Sequence, residues 1–275
     1  MIRTLTHDDL EAVHTAFVAA FSDYVVKLTP TREQLAEMFT RRGWIPELSV
    51  GAFDGDAITA FTVNCVEADR AYDSGTGVVP AHRRRGLGRE LMERSFELLR
   101  ERCTSYVLEV LEANTRAVEL YRATGFEVVR ELQCWSYDES QSVKVSESQN
   151  GDRDDISPLR LCDVETLRLH ADIQPSWQNS SASIARAKAP HVVLGDEHGY
   201  AVVFPDNGDL AQLVVRRDVR RKGIGTRLLQ SAAAVAGKPL RILNVDDAGP
   251  GVAAFLEANG AKRTVRQLEM IRSLR

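Results

Sequence analysis

Three arginines and two glycines form the run Arg83-Arg84-Arg85-Gly86-Leu87-Gly88. It lies between an apolar, strand-like stretch ending Val78-Val79-Pro80 and an amphipathic helical pattern. Such a loop is built to receive an anion. Glycines at 86 and 88 remove the Cβ atoms that would hold a ligand off the backbone. The first-turn N–H groups of the helix behind them have no partner within the helix and point outward. The arginines add charge-assisted donors suited to phosphate. His82 sits beside them and reads as a solvated or phosphate-facing group rather than a catalytic imidazole. Further on, Glu109 interrupts an otherwise apolar run from Tyr106 to Leu111. Its carboxylate must occupy a cleft or face a polar partner, and burial there would raise its pKa toward that of a useful base.

The loop occurs twice. Arg220-Arg221-Lys222-Gly223-Ile224-Gly225 repeats it 137 positions further on, counted from Arg83 to Arg220. Leu87, Leu91, Met92, Phe96 and Leu99 fall at the same offset onto Ile224, Leu228, Leu229, Ala233 and Ala236, the spacing of one buried helix face. Val107-Leu108-Glu109-Val110 is matched by Ile242-Leu243-Asn244-Val245, an offset of 135, and Leu120-Tyr121 and Gly125 by Phe255-Leu256 and Gly260. A loop, a helix, a strand and a second helix recurring in order mark a duplicated domain.

Arg-x-x-Gly-x-Gly from Arg83 to Gly88, then Leu108-Glu109-Val110, then Asn114 to Phe126 as Asn-x-x-Ala-x-x-x-Tyr-x-x-x-Gly-Phe, resembles the GNAT superfamily of acetyl-CoA-dependent N-acetyltransferases. The resemblance is clear over roughly 50–137, loose before it, and weaker over about 192–271. It implies an α/β (α+β) chain of two tandem GNAT-like domains, each a mixed, mostly antiparallel sheet flanked by helices. It also implies acetyl-CoA as co-substrate, an amine acceptor that is a small molecule or a peptide, and no metal.

Moving an acetyl group from a thioester to an amine makes three demands. The amine, with a pKa of about 10.4 for a lysine, must lose a proton before attack. The carbonyl oxygen needs donors as it gains charge. The thiolate leaves more easily when protonated. The resemblance gives Glu109 the first task, with Asp73 on the preceding strand as the rival base. It makes Tyr121 the acid for the thiolate and Asn114 a coenzyme contact. Backbone N–H groups near Val78 and Val79 would serve the carbonyl, with the pyrophosphate on Arg83, Arg84, Arg85, Gly86, Leu87 and Gly88. The segment around the first helices would wall the acceptor site, making Asp23, Tyr24 and Trp44 candidate acceptor contacts.

In the second copy Asn244 stands for Glu109, Leu256 for Tyr121 and Gly249 for Asn114. An amide does not take up an ammonium proton, and leucine has none to give. The second half therefore reads as a degenerate partner that buttresses the first and helps wall the acceptor site. A non-catalytic acyl-CoA sensor is the alternative from another class; Tyr121 and Glu109 together favour the enzyme, since a sensor needs neither. The acceptor stays open among peptide amino termini, lysine, polyamines, aminoglycosides and amino sugars.

The elements that must position these groups follow from local signals. Ile2–Leu5 reads as a strand, and Leu10, Val13, Phe17 and Phe21 mark one helix face. Phe21 to Val25 breaks that pattern before Thr31 caps a second helix. Asp54-Gly55-Asp56 joins the β runs 48–53 and 57–63 as a hairpin. Pro80 ends the strand 72–79, and Asn114 and Gly125 bracket the Tyr121 helix. The domains are expected at 1–138 and 156–275, joined by a polar linker at 139–155, with 143–145 as a short edge strand. In the second half 158–161 and a helix from Asp163 mirror the opening, 174–188 is mainly loop, and strands lie at 191–195, 200–204 and 210–215.

The 275 residues suffice for two cores, and a net charge of −4 argues against a nucleic-acid partner. Cys65, Cys103, Cys134 and Cys162 are scattered, as suits reduced cytoplasmic thiols rather than a disulfide frame or zinc site. No apolar run reaches the roughly 18 residues of a membrane span. His7, Asp8 and Asp9 lie where the core of a signal peptide would fall, so secretion is not expected. Oligomeric state is not readable.

Overall fold

A computed structural model describes residues 1–24, 28–141 and 161–275. In chain order the elements are β1 (Ile2–Thr4), α1 (Leu10–Ala20), α2 (Arg32–Arg42), β2 (Val50–Asp54), β3 (Ala57–Glu67), β4 (Arg70–Val78), α3 (Leu87–Leu99), β5 (Ser105–Leu111), α4 (Thr115–Ala123) and β6 (Glu127–Tyr137). They continue with α5 (Leu161–Arg168), α6 (Ser181–Arg186), β7 (Val192–Asp196), β8 (Gly199–Phe204), β9 (Asp209–Val215), α7 (Ile224–Ala236), β10 (Leu240–Asp246), α8 (Pro250–Ala258) and β11 (Lys262–Ser273). Most of the linker, residues 142–155, lies outside the described residues, as do Val25, the expected edge strand 143–145 and the start of the second domain at 156–160. The last linker residues described, Glu139–Gln141, form a single 3-10 turn.

Two compact units emerge, and neither is one continuous stretch. The first comprises Met1–Val129, Ser181–Lys188 and Leu268–Arg275; the second comprises Arg130–Ser180 and Ala189–Gln267. A contiguous division near residue 138 therefore misses three features. The segment carrying α6 and the last residues of β11 belong with the first unit, and most of β6 belongs with the second.

Within the first unit, β1, β2, β3 and β4 pair antiparallel in sequence, and β5 joins β4 in parallel. The end of β11 lies beside β5. One face carries α1 and α2, whose Val13, Phe17, Leu35 and Phe39 pack with Phe61 and Val63 of β3. Another core gathers Met92, Phe96 and Leu99 of α3 and Val118 and Tyr121 of α4 with Tyr106, Leu108, Leu268 and Met270. Helix starts follow their caps: Thr31 accepts from the Gln34 N–H, and Asn114 from the Ala117 N–H.

The ladder between β3 and β4 slips once. Asn64 pairs with Asp73 and Val63 with Gly75, leaving Ser74 as the extra residue of a β-bulge. The parallel β4–β5 ladder runs from Arg70/Ser105 to Asp73/Leu108. Both strands then continue, β4 to Val78 and β5 to Leu111.

The second unit repeats this plan. β7, β8 and β9 pair antiparallel, β10 meets β9 in parallel at Arg241/Asp209, and the far end of β6 pairs antiparallel with β10. Its bulge recurs at Ala211, 137 positions after Ser74, where Val203 pairs with Leu210 and Val202 with Gln212. The core packs Leu228, Leu229, Ala232 and Ala233 of α7 and Leu256 of α8 on Ala201, Val203, Leu240 and Ile242.

Candidate active site

The arginine–glycine loop has one shape in both units. Arg84 and Arg221 each take φ +64°, while Gly86 and Gly223 take +82° and +81°. A Cβ on either glycine would meet nothing within 4 Å, so it is the left-handed backbone, not space, that calls for glycine. Left-handed residues at 84 and 86 bend the loop into the start of α3, a backbone shape of the kind that makes anion-binding nests. Gly88 has a different reason: a Cβ there would stand 3.1 Å from Leu120 Cδ2, and one on Gly225 3.1 Å from Phe255 Cε2. Those glycines let α3 approach α4, and α7 approach α8. Leu87 turns its side chain into the packing against Val50, Ala52, Ala60 and Leu91, so its backbone is what it offers a ligand.

Arg83 differs from its two neighbours. Its guanidinium forms a two-point pair with Asp23, at 2.6 and 2.8 Å, and also donates to the Ala20 and Val78 carbonyls at 2.9 and 3.2 Å. The bond to Arg83 holds the Asp23 carboxyl down at about 2. These two residues, expected at the phosphate and at the acceptor, are thus joined to each other and tie the loop to the end of α1. Arg84 and Arg85 are exposed beside the nest. In the second unit Arg220 makes the same set of bonds, to Asp172 at 2.6 Å and to the His170 and Val215 carbonyls at 2.7 and 3.1 Å.

Val79 is occupied on both sides: its N–H donates to the Thr59 carbonyl at 2.9 Å, and its carbonyl accepts the His82 N–H at 2.8 Å. Antiparallel strands alternate the edge to which their amides point. Val78 therefore turns its N–H to the other edge of β4, where the β5 ladder has already ended.

Asp73 and Tyr121, 48 residues apart, come together. Tyr121 Oη donates to Asp73 Oδ2 over a long 3.4 Å, and the same oxygen accepts from Thr76 Oγ1 at 2.7 Å, while Oδ1 takes the Gly75 N–H at 2.9 Å. Burial pushes the Asp73 carboxyl up to about 6, against the pull of the Thr76 and Gly75 donors. Burial, and next the Asp73 charge, hold the Tyr121 phenol well above its ordinary value. Glu109 is partly exposed and accepts from Tyr72 Oη at 3.1 Å. Tyr72 and Asp73 are consecutive on β4, so their side chains leave opposite faces of the strand.

Tyr24 joins this centre: its phenol meets the Asn114 side chain and the Leu111 backbone, and burial raises its pKa. Trp44 does not join it. Its indole N–H donates to Ser49 Oγ at 3.0 Å and its ring packs on Phe39 and His7. The sequence reading also passed over Tyr72 and Thr76; Tyr72 falls within an apolar pattern, and only the partners opposite each of them disclose a role.

At the matching place in the second unit the titratable groups are gone. Leu210 stands for Asp73 and Leu256 for Tyr121, both buried. Asn244 is buried and accepts from Gln267 Nε2 at 2.8 Å. Ile173 sits where a Cβ on Gly249 would come within 2.4 Å of it, the counterpart of Tyr24 on Asn114. Among the described residues no cluster of His, Cys, Asp and Glu is arranged to hold a metal, and no helix is long and apolar enough to cross a membrane.

In the first unit β4 and β5 thus part beyond the bulge, a glycine loop follows β4, and a phenol stands on the helix that follows β5. The sequence matches the acetyltransferase (GNAT) family over residues 12–126 and again over 171–261, and the chain belongs to that family. It carries two tandem copies, the second degenerate. A GCN5-related N-acetyltransferase from Sphaerobacter thermophilus is similar, with a TM-score of 0.72 at 15% identity, covering 100% of this chain and 96% of that one. A tandem GNAT protein from the clavulanic acid biosynthesis pathway has a TM-score of 0.67 at 15% identity, covering 100% and 98%. At these identities the likeness speaks for the fold alone. No curated protein sequence matches the chain.

Proposed function

We propose that the first unit transfers the acetyl group of acetyl-CoA to a primary amine by direct attack, and that the second unit is its non-catalytic partner. One observation carries the reading. Glu109 lies just beyond the last β4–β5 pair while Tyr121 and Asp73 meet at the neighbouring position, and the second unit keeps the loop but not these groups.

The nest of Arg84 to Gly88 fits a pyrophosphate, since its conformation and exposed arginines favour an anion and no side chain fills it. Acetyl-CoA supplies an activated acyl group when bound there. Glu109 accepts a proton from the incoming ammonium, directly or through water. The Val78 N–H, turned away from β3, is the donor suited to a carbonyl oxygen gaining charge. Tyr121 holds a proton at Oη for the leaving sulfur. Asn114 and Tyr24 close the coenzyme side at the start of α4. We assign the protein to the cytoplasm, in keeping with Cys65, Cys103 and Cys134, which are buried and form no disulfide.

The test is coenzyme A thiol release from acetyl-CoA across a panel of peptide, polyamine and amino-sugar acceptors. Tyr121→Phe is expected to lower kcat by about 10²-fold or more and Glu109→Gln similarly, the range of lost general acid–base catalysis. Gly223→Glu is expected to leave turnover nearly intact. Thiol release that never exceeds the acceptor-free control, or its loss in a folded Gly223→Glu variant, overturns the assignment.

A further inference from the structure

The polar groups around Tyr121 form a connected chain. The hydroxyls of Thr62 and Thr76 lie 3.0 Å apart, Thr76 donates to Asp73 Oδ2, and Tyr121 Oη reaches that same oxygen. The bulge at Ser74 makes this geometry: it folds the Gly75 N–H and the Thr76 hydroxyl back onto the carboxyl within three residues, as in an Asx turn. The carboxyl is thereby fixed before any ligand arrives. The other titratable and charged groups facing it are Arg42 from α2, Cys65 from β3 and Tyr106 from β5, while Tyr24 faces Tyr121.

An independent observation lies in the second unit. There the bulge persists at Ala211, yet carboxyl and phenol are replaced together by Leu210 and Leu256. Without the carboxylate the buried phenol loses its acceptor, and without the phenol the carboxylate keeps only the Thr76 and Gly75 donors, so each group is worth less alone.

Building on the assignment of Tyr121 as the acid, we propose that Asp73 is its positioning residue and not the base. The Asp73 carboxylate accepts the phenolic hydrogen bond and fixes where Oη points. Its charge keeps the phenol protonated until a thiolate forms beside it. Glu109, bonded to Tyr72 on the opposite face of β4, is left with the amine. The 3.4 Å contact is longer than an ordinary O–H···O bond, as catalytic contacts often are before substrate binds.

Two measurements test this. The first is the ¹³C resonance of the tyrosine Cζ of Tyr121, assigned by its absence from Tyr121→Phe and followed from pH 4 to 9 in the full chain. It is expected to show a step near pH 6, where the carboxyl titrates, and to lose that step in Asp73→Asn. This readout needs no turnover, so it stands even if the chain proves inactive with every amine. The second is a double-mutant cycle on kcat. Asp73→Asn is expected to cost roughly tenfold in the wild-type background and under about twofold in Tyr121→Phe, the non-additivity of residues acting through one another. A Cζ resonance that ignores pH near 6, or losses that multiply across the cycle, overturns the inference. Thiol release that never exceeds background overturns instead the functional assignment beneath it.

Discussion

Asp73 stores a measurable conflict between stability and chemistry. An Asp in an unfolded chain titrates near 3.9, whereas burial lifts this one to about 6 in the folded protein. Between those values the native state holds more protons than the unfolded one, so stability falls as pH rises through the window. The cost above pH 6 is about 2–3 kcal/mol, with no discount for solvent because Asp73 is only 5% exposed. Asp73→Asn removes the titration while the Thr76 hydroxyl, able to donate or accept, adapts to the amide. The stability gap between variant and wild type is therefore expected to move in favour of the variant from pH 4 to pH 7 and then level off. Urea unfolding at several pH values measures it, and a gap independent of pH contradicts the raised carboxyl. Asp9 has the opposite sign. Its pair with Arg3 holds it at about 2, so its contribution is present above pH 4 and lost as pH falls through 2. Sequence alone could nominate Asp73 and Tyr121 as titratable groups near the reaction. It could not bring them together, since 48 residues separate them and the Ser74 bulge leaves no mark in the hydrophobic pattern.

The loop from Val79 to Gly88 is held by contacts that span several elements. Arg83 ties it to the end of α1 through Asp23 and the Ala20 carbonyl, and Gly88 brings α3 against α4. Asp23 is exposed, so the ion pair itself adds little stability in water; its effect is to tie the arginine–glycine loop to the end of α1. Asp23→Ala and Arg83→Ala are each expected to raise the KM for acetyl-CoA about two- to fivefold, and the double variant no more than either alone. Steady-state kinetics on the three variants decide this, and multiplied effects count against a shared tie. The elements themselves were largely readable, because their signals are local: Thr31 and Asn114 cap their helices as the sequence indicates, and Asp54-Gly55-Asp56 turns its hairpin. The partners of Arg83 were not. An arginine beside glycines looks the same whether it faces a phosphate or an aspartate 60 residues earlier.

At the scale of the molecule, duplication was visible but the membership of the units was not. From the first helices onward the described residues of each half carry the same order of helices and strands, so a cut near residue 138 looks natural from pattern alone. The chain instead completes its first unit with Leu268–Arg275. Nothing in the alternation of β11 announces which unit its end will serve, because the period-2 pattern is the same for either. The consequence is that stability of the first unit depends on residues at the far end of the sequence. Met270 is fully buried among Tyr106, Leu108 and Phe126, and Arg272 lies over the Phe96 ring at 3.8 Å. Met270→Ala opens a cavity in that core, a change that costs about 2–5 kcal/mol. The variant is expected to melt at a lower temperature and to lose activity on warming. A fragment ending at residue 138 should lack the same support and fail to reach a stable fold. Thermal melts of both, read beside activity at two temperatures, are the check: a fragment 1–138 as stable as the whole chain, or a Met270→Ala variant with an unchanged melting point, would show that the first unit stands without its last strand.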